Sequence, residues 1–181
     1  RGQQTSEKKT LIHAIGNLPK FIPAKSVIQK EGRKISHQPL EIDIEVPVNH
    51  EPRFHNERDI KIFREWVSKD MNNRRMDEKI LFYNNLLGKN SKHAKYRNLE
   101  WHKPSHTIVA HLNKDGLMFI HPDSEQARTI TVKEAALIQS FPDDFEFKER
   151  MGHNYKMIGN AVPPLMAKHI ASAVHSIVKD Y

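Results

Sequence analysis

The chain has 181 residues and no cysteine, and 29 Lys and Arg against 22 Asp and Glu give it a formal net charge of +7. Disulfides, thiolate metal sites and a cysteine nucleophile are thereby excluded from it. No apolar run approaches the ~20 residues of a membrane span, and no signal-peptide pattern opens the sequence. The length suits one domain or a small domain with an appendage, and the positive balance favours a polyanionic partner, nucleic acid by default. Because the first residue is Arg1, the chain is expected to be an excised part of something longer.

Thr10 is placed to cap a short helix through Leu11, Ile12, Ala14 and Ile15, with Gly16 as its stop. From Pro19 to Pro52 no period emerges, and Lys20, Lys25, Lys30, Arg33 and Lys34 make this an irregular basic connection suited to binding or mobility. Asn56 then opens a helix with Ile60, Phe63, Trp66 and Val67 on one face. Asp77 opens another, with Ile80, Leu81 and Leu87 apolar and Gly88 as a stop. These stripes are expected to be core.

The stretch KNSKHAKYRNLEWHK (89–103) interleaves basic and aromatic residues, as a solvated loop or a phosphate-contacting surface would. HTIVAHL (106–112) and LMFIH (117–121) read as two strands joined through NKDG, which predicts a β-hairpin. Thr131 and Glu134 form a capping box that opens a helix over Val132–Ile138, and FPDDFEF (141–147) ends it. Pro163 and Pro164 suit a helix start, after which Met166, Ile170, Ala173, Val174 and Ile177 recur at helical spacing. Gly159-Asn160, just before it, suits a plain entry loop, or close approach of the backbone to a ligand or to another chain segment.

The catalytic repertoire is thin. Seven scattered glycines form no phosphate-binding loop or G-x-G-x-x-G pattern. The 12 histidines show no convincing zinc spacing, so no metal site is expected. His121-Pro122-Asp123 reads as a turn before a proton relay, and Asp143-Asp144 as a helix stop before an acid/base couple.

Two runs carry a resemblance. ARTITVKEAALIQSFPDDFEF (127–147) and YKMIGNAVPPLMAKHIA (155–171) closely resemble the last two motifs of DNA cytosine-5 methyltransferases. TLIHAIGNLPK (10–20) is similar to the helix after that family's middle motifs, and KYRNLEWHKPSHTIVAHLNKDGLMFIHPD (95–123) to part of a target-recognition region. Departures are small: Lys133 stands where Arg is usual, and Ile138 follows Leu137 where Arg-Leu is commoner.

The resemblance implies an α+β recognition domain with a β-hairpin, several helices and a C-terminal helix that would pack on an absent α/β cofactor-binding domain. It divides the chain into a connecting helix after the catalytic region (1–22), a target-recognition region (23–126), the penultimate motif (127–152), and the final motif with its helix (153–181). It implies methyl transfer from S-adenosylmethionine to cytosine C5 of a specific double-stranded DNA sequence, in a restriction-modification system. Asn160, Ala161 and Val162 would contact the cofactor, with Gly159 letting the backbone come close. Lys95, Arg97, Thr107 and Lys114 would contact DNA, Thr107 beside the extruded nucleotide. Arg128, Thr131 and Glu134 would be scaffold. No catalytic residue is expected here, because the family's nucleophile is a Pro-Cys cysteine; the chain alone is expected to be inactive. Its partner would be the amino-terminal catalytic half of the same enzyme or a separate catalytic subunit, in a bacterial cytoplasm and near the nucleoid, with no membrane partner. Two alternatives stay open: a non-catalytic DNA-binding subunit of a split methyltransferase, and a degenerate relative that mediates protein contact.

Overall fold

The computed structural model describes residues 9–114 and 116–179. Residues 1–8 of the expected connecting segment, Asp115 of the NKDG turn and residues 180–181 of the closing segment lie outside the described residues. The architecture is mixed α+β, with one two-stranded antiparallel sheet and six α-helices among the described residues.

Helices form where caps and apolar spacing coincide. In α1 (Leu11–Ile15) the first free amides, those of Leu11 and Ile12, donate to the carbonyls of Lys103 and Trp101 at 3.0 Å, so this one turn is pinned to a distant segment. α2 (Glu57–Ser68) starts at Asn56, whose side chain accepts the Asp59 N–H at 2.8 Å, and it buries Ile62, Phe63 and Trp66. α3 (Met76–Leu87) ends at Gly88, where φ of +59° suits glycine. Its expected stripe is not core throughout: Tyr83 is its buried residue, and Leu81 is 61% exposed.

Two expectations about strands and loops are corrected. The hairpin lies not at 106–121 but in the basic connection, as β1 (Phe21–Lys30) and β2 (Arg33–Pro39). Residues 106–114 instead run irregularly into a turn and a 3-10 helix at Gly116–Met118. Only the end of the second expected strand pairs: Ile120 bridges Asn98 in parallel and Thr129 in antiparallel fashion. The second correction is α5 (Met151–Asn160), a helix the sequence reading lacks; Gly159 and Asn160 are its last residues, not a loop.

The short extended stretch at 119–121 separates two cores. Phe119 faces the larger one with Leu11, Ile15, Ile108, Leu112, Ile130, Ala135, Tyr155 and Ile158. Ile120 faces the smaller one with Phe63, Trp66, Tyr83 and Tyr96. Adjacent side chains on extended backbone point to opposite sides, so one segment serves both.

α4 (Val132–Ile138) is anchored from beneath by a buried ion pair. The Arg128 guanidinium donates to both Glu134 carboxylate oxygens at 2.7 Å, to Gln126 Oε1 at 2.7 and 3.1 Å, and to the Thr129 carbonyl at 3.1 Å. Glu134 also accepts the Thr131 N–H at 2.7 Å, completing the capping box. Burial by itself would raise the Glu134 pKa, but the Arg128 charge and hydrogen bonds overcome it and hold the carboxyl far below its usual range.

Neutral histidines surround this pair. His50 Nε2 donates to the Pro19 carbonyl at 2.8 Å, and its Nδ1 meets the Thr131 hydroxyl at 3.0 Å. His37 Nε2 donates to the Gln126 carbonyl at 2.9 Å. His55 Nε2 accepts the Thr129 N–H at 3.2 Å, and His121 Nδ1 accepts the Asp123 N–H at 3.2 Å. Burial, aided by the Arg128 charge, pushes His37 down to about 4 and His121 to about 3. Burial with the neighbouring His37 pushes His55 to about 3.

Two predictions follow from this scaffold. Glu134→Gln leaves a buried guanidinium without its counter-charge and should cost about 3–5 kcal/mol in chemical denaturation. Glu100→Gln, which removes the half-buried partner of exposed Lys103, should cost under ~1 kcal/mol. Equal costs would mean that the buried pair does not anchor α4. Acid should also destabilise the fold. Below the unfolded histidine pKa of about 6.5 the unfolded chain takes up protons that the folded one refuses, so stability falls as pH drops from about 6.5 toward 4. Each histidine contributes up to about 1.4 kcal/mol per pH unit in that window, and a flat denaturation midpoint there would contradict the buried neutral assignment.

Candidate cofactor and DNA groove

An open groove of about 850 Å³ runs between α1, the 104–108 segment, the end of α4 and the α5–α6 turn. Thr107, Gly159, Ala161 and Pro163 line it together, with Thr10, His13, Gln139 and Ser140. Among the described residues no Asp or Glu lines it. His106 forms part of its wall; the ring stacks on Phe119 at 4.5 Å, and its Nε2 is buried without a hydrogen-bond partner.

The α5–α6 turn is held from both sides. α6 (Pro164–Lys179) starts at the second proline, and its Leu165 N–H donates to Ser140 Oγ at 3.1 Å. Gln139, buried at the end of α4, donates through Nε2 to the Ile158 and Ala161 carbonyls at 3.3 and 3.2 Å. Gly159 makes the tightest fit. A Cβ there would stand 2.4 Å from the Val109 carbonyl oxygen and 3.0 Å from the Ala110 Cα. The close approach is therefore to another chain segment, the one carrying Thr107.

Of the site residues singled out from sequence, the groove unites Thr107, Gly159 and Ala161. Asn160, exposed at the end of α5, and Val162, 60% exposed, flank the groove without lining it. Lys95 and Arg97 are exposed on either side of buried Tyr96 and do not line the groove, and the Arg97 amide pairs with the Leu117 carbonyl at 3.0 Å. Lys114 is exposed just before the 3-10 turn that contains Leu117. Gln139 and Ser140 were missed. Their signal lay in the IQSFP run, whose amide and hydroxyl have no use inside a helix but can fasten a neighbouring turn. Among the described residues no group of three or more His, Asp or Glu converges as metal ligands, and no helix is long and apolar enough to cross a membrane.

The groove thus lies between a short capped helix fastened over a buried Arg–Glu pair and a glycine-tight turn beside Thr107. The chain belongs to the C-5 cytosine-specific DNA methylase family, whose model matches residues 3–176. It is 49% identical over 81 residues to the type II methyltransferase M.Bpa9945I of Bacillus paralicheniformis, covering 45% of this chain and 18% of that protein. It is 45% identical over 80 residues to the type II methyltransferase M.AgeI of Thalassovita gelatinovora, covering 44% and 18%. With DNA (cytosine-5)-methyltransferase 3 of Arabidopsis thaliana the identity is 39% over 89 residues, 46% of this chain and 6% of that one. The matches thus span less than a fifth of the length of these curated relatives.

The glycines of α5 give a paired prediction. Gly152 has nothing within 4 Å of an added Cβ, so Gly152→Ala should stabilise by up to about 1 kcal/mol through the unfolded chain. Gly159→Ala drives a methyl into backbone and should destabilise by about 1–3 kcal/mol. Thermal melts of both variants check this; equal and small effects would mean the turn is not pressed against 109–110.

Proposed function

We propose that the chain is the DNA-recognition and closing portion of a DNA (cytosine-5-)-methyltransferase, transferring a methyl group from S-adenosylmethionine to cytosine C5 in a specific duplex sequence of a restriction-modification system. The observation that carries this reading is the groove shared by Thr107 and the Gly159–Pro163 turn, within a chain of this family. The boundaries at 1–22, 23–126, 127–152 and 153–181 are part of the proposal. So is the packing of α6 on an α/β cofactor-binding domain: its Leu165, Met166, Ile170, Val174 and Ile177 are each at least half exposed.

The residues present fit the cofactor's methionine end. The exposed Asn160 amide, beside an open groove that no carboxylate lines among the described residues, can accept a charged amino-acid group. When bound, S-adenosylmethionine supplies the methyl group. In this account Asn160 binds, Ala161 and Val162 pack, and Gln139 keeps their backbone in place. Thr107 contacts the DNA backbone beside the extruded base, which cannot react while stacked. Lys95, Arg97 and Lys114 contact phosphates or groove edges. The nucleophile comes from elsewhere, from the same enzyme or a separate subunit, because the chain contains no cysteine.

The test is transfer of labelled methyl groups to duplex DNA by the chain alone and together with a chain supplying the Pro-Cys half. The chain alone should be inactive and the combination active. In the completed enzyme Asn160→Ala should weaken cofactor affinity roughly ten- to a hundred-fold, the value of a hydrogen bond to a charged group. Activity of the chain alone, or unchanged cofactor affinity in the variant, would contradict the assignment.

A further inference from the structure

α4 ends in a backbone conformation that favours glycine, yet the residue there is Ser140. Its φ is +66°, in the left-handed region. The Ser140 and Phe141 amides fold back to the Leu137 and Ala136 carbonyls, both at 3.0 Å, in the pattern that usually closes a helix on glycine. A Cβ at such a position strains the chain, and the closing pattern itself makes no use of the serine hydroxyl.

The hydroxyl is used by another helix. The Pro163 carbonyl accepts the Ala167 N–H at 2.9 Å, so Pro163 stands at the N-cap of α6, where it offers no side-chain acceptor. Pro164 has no N–H, and the first amide of α6 is therefore that of Leu165. Ser140 Oγ accepts it at 3.1 Å, from 25 residues away in the chain. A cap that a helix ordinarily finds in its own sequence comes here from the end of α4.

Ser140 and its neighbour Gln139 thus hold opposite ends of one turn. Gln139 Nε2 donates to the Ile158 and Ala161 carbonyls at the end of α5, and Ser140 receives the start of α6. Between these grips lie Val162 and the two prolines, whose rings fix φ near about −65°. Few free angles remain to set the direction of α6. The groove runs against this turn, and Ser140 is one of the residues lining it.

We propose that Ser140 is a positioning residue. Its hydroxyl offsets the strain at the end of α4 by fixing the angle between α5 and α6, and with it the place of Asn160, Ala161 and Val162. It touches no reacting atom; its effect passes through the turn to cofactor binding rather than to the transfer step. The inference rests on the methyltransferase reading and adds to it a residue that acts through the backbone of the cofactor turn.

Ser140→Gly and Ser140→Ala separate this role from stability, in the enzyme completed by a chain supplying the Pro-Cys half. Both variants lose the acceptor, but only glycine relieves the left-handed strain, so Ser140→Ala should melt below Ser140→Gly. Loss of a hydrogen bond between neutral groups should raise KM for S-adenosylmethionine about two- to ten-fold in both, with kcat within about twofold of the unsubstituted enzyme. The rise in KM is then shared although the melting is not. A KM that follows melting, raised in Ser140→Ala alone, or one unchanged in both, would overturn the positioning role and leave the methyltransferase reading intact. So would equal melting of the two variants, or a fall in kcat as large as the change in KM. An unsubstituted completed enzyme that transfers no methyl group would overturn the methyltransferase reading and this role with it.

Discussion

Arg128 has no exposure to solvent, and a guanidinium in that position must be neutralised from within the protein. Glu134 does so with two hydrogen bonds at 2.7 Å, and the same carboxylate closes the N-terminus of α4. A capping box is ordinarily a surface device worth about 1 kcal/mol. Here its acid also carries a buried charge, so the start of α4 can shift only if Arg128 moves too. Gln126, Thr129 and Thr131 bond to this pair directly, and His37, His50 and His55 brace those three, so the β-hairpin root, the Pro19 region and α2's entry are tied to one point.

The groove inherits its shape from that point. α4 starts at the ion pair and ends at Gln139 and Ser140, which hold the α5–α6 turn through three hydrogen bonds. α5 in turn presses Gly159 on the Val109 carbonyl, and Tyr155 donates to the Ile130 carbonyl at 2.7 Å, returning to the segment next to Arg128. The path from buried charge to groove is therefore short and covalently fixed at one end. A groove built this way is preformed, so a ligand entering it need not spend binding free energy on ordering the turn.

How much of this was legible in the sequence depended on the kind of signal. Capped helices were readable because a cap is a local pattern: Asn56, Gly88 and the Thr131–Glu134 pair each placed a boundary to within a residue or so. The hairpin was not. Its strands face solvent on both sides beyond the root, so hydrophobic alternation never develops; a bulge between Pro23 and Ile28 breaks what period remains, and Glu-Gly is a weak turn signal. The reverse error at 106–121 came from β-branched residues that are buried for packing. Ile108 and Leu112 fill the larger core from irregular backbone, because tertiary contact overrides strand propensity. α5 escaped because Gly152, Asn154, Gly159 and Asn160 are poor helix formers. Gly159 gains by contact with Val109 what it loses in propensity, and Asn154 is buried with its amide on the Glu149 carbonyl at 2.9 Å. Within the site, Thr107 and Ala161 came from resemblance, whereas Gln139 required knowing which turn lay beside it.

The central claim is that the groove is held by the buried pair and not by whatever it binds. Native-state hydrogen exchange of the ligand-free chain tests it most directly, comparing the amides of Leu112, Ile130, Gln139 and Ala161, each with a backbone acceptor in the fold. The account predicts that Gln139 and Ala161 open with the same free energy as Leu112 and Ile130, and that Glu134→Gln lowers all four together. Fast exchange at Gln139 and Ala161 in the unsubstituted chain, with protection confined to Leu112 and Ile130, would contradict it.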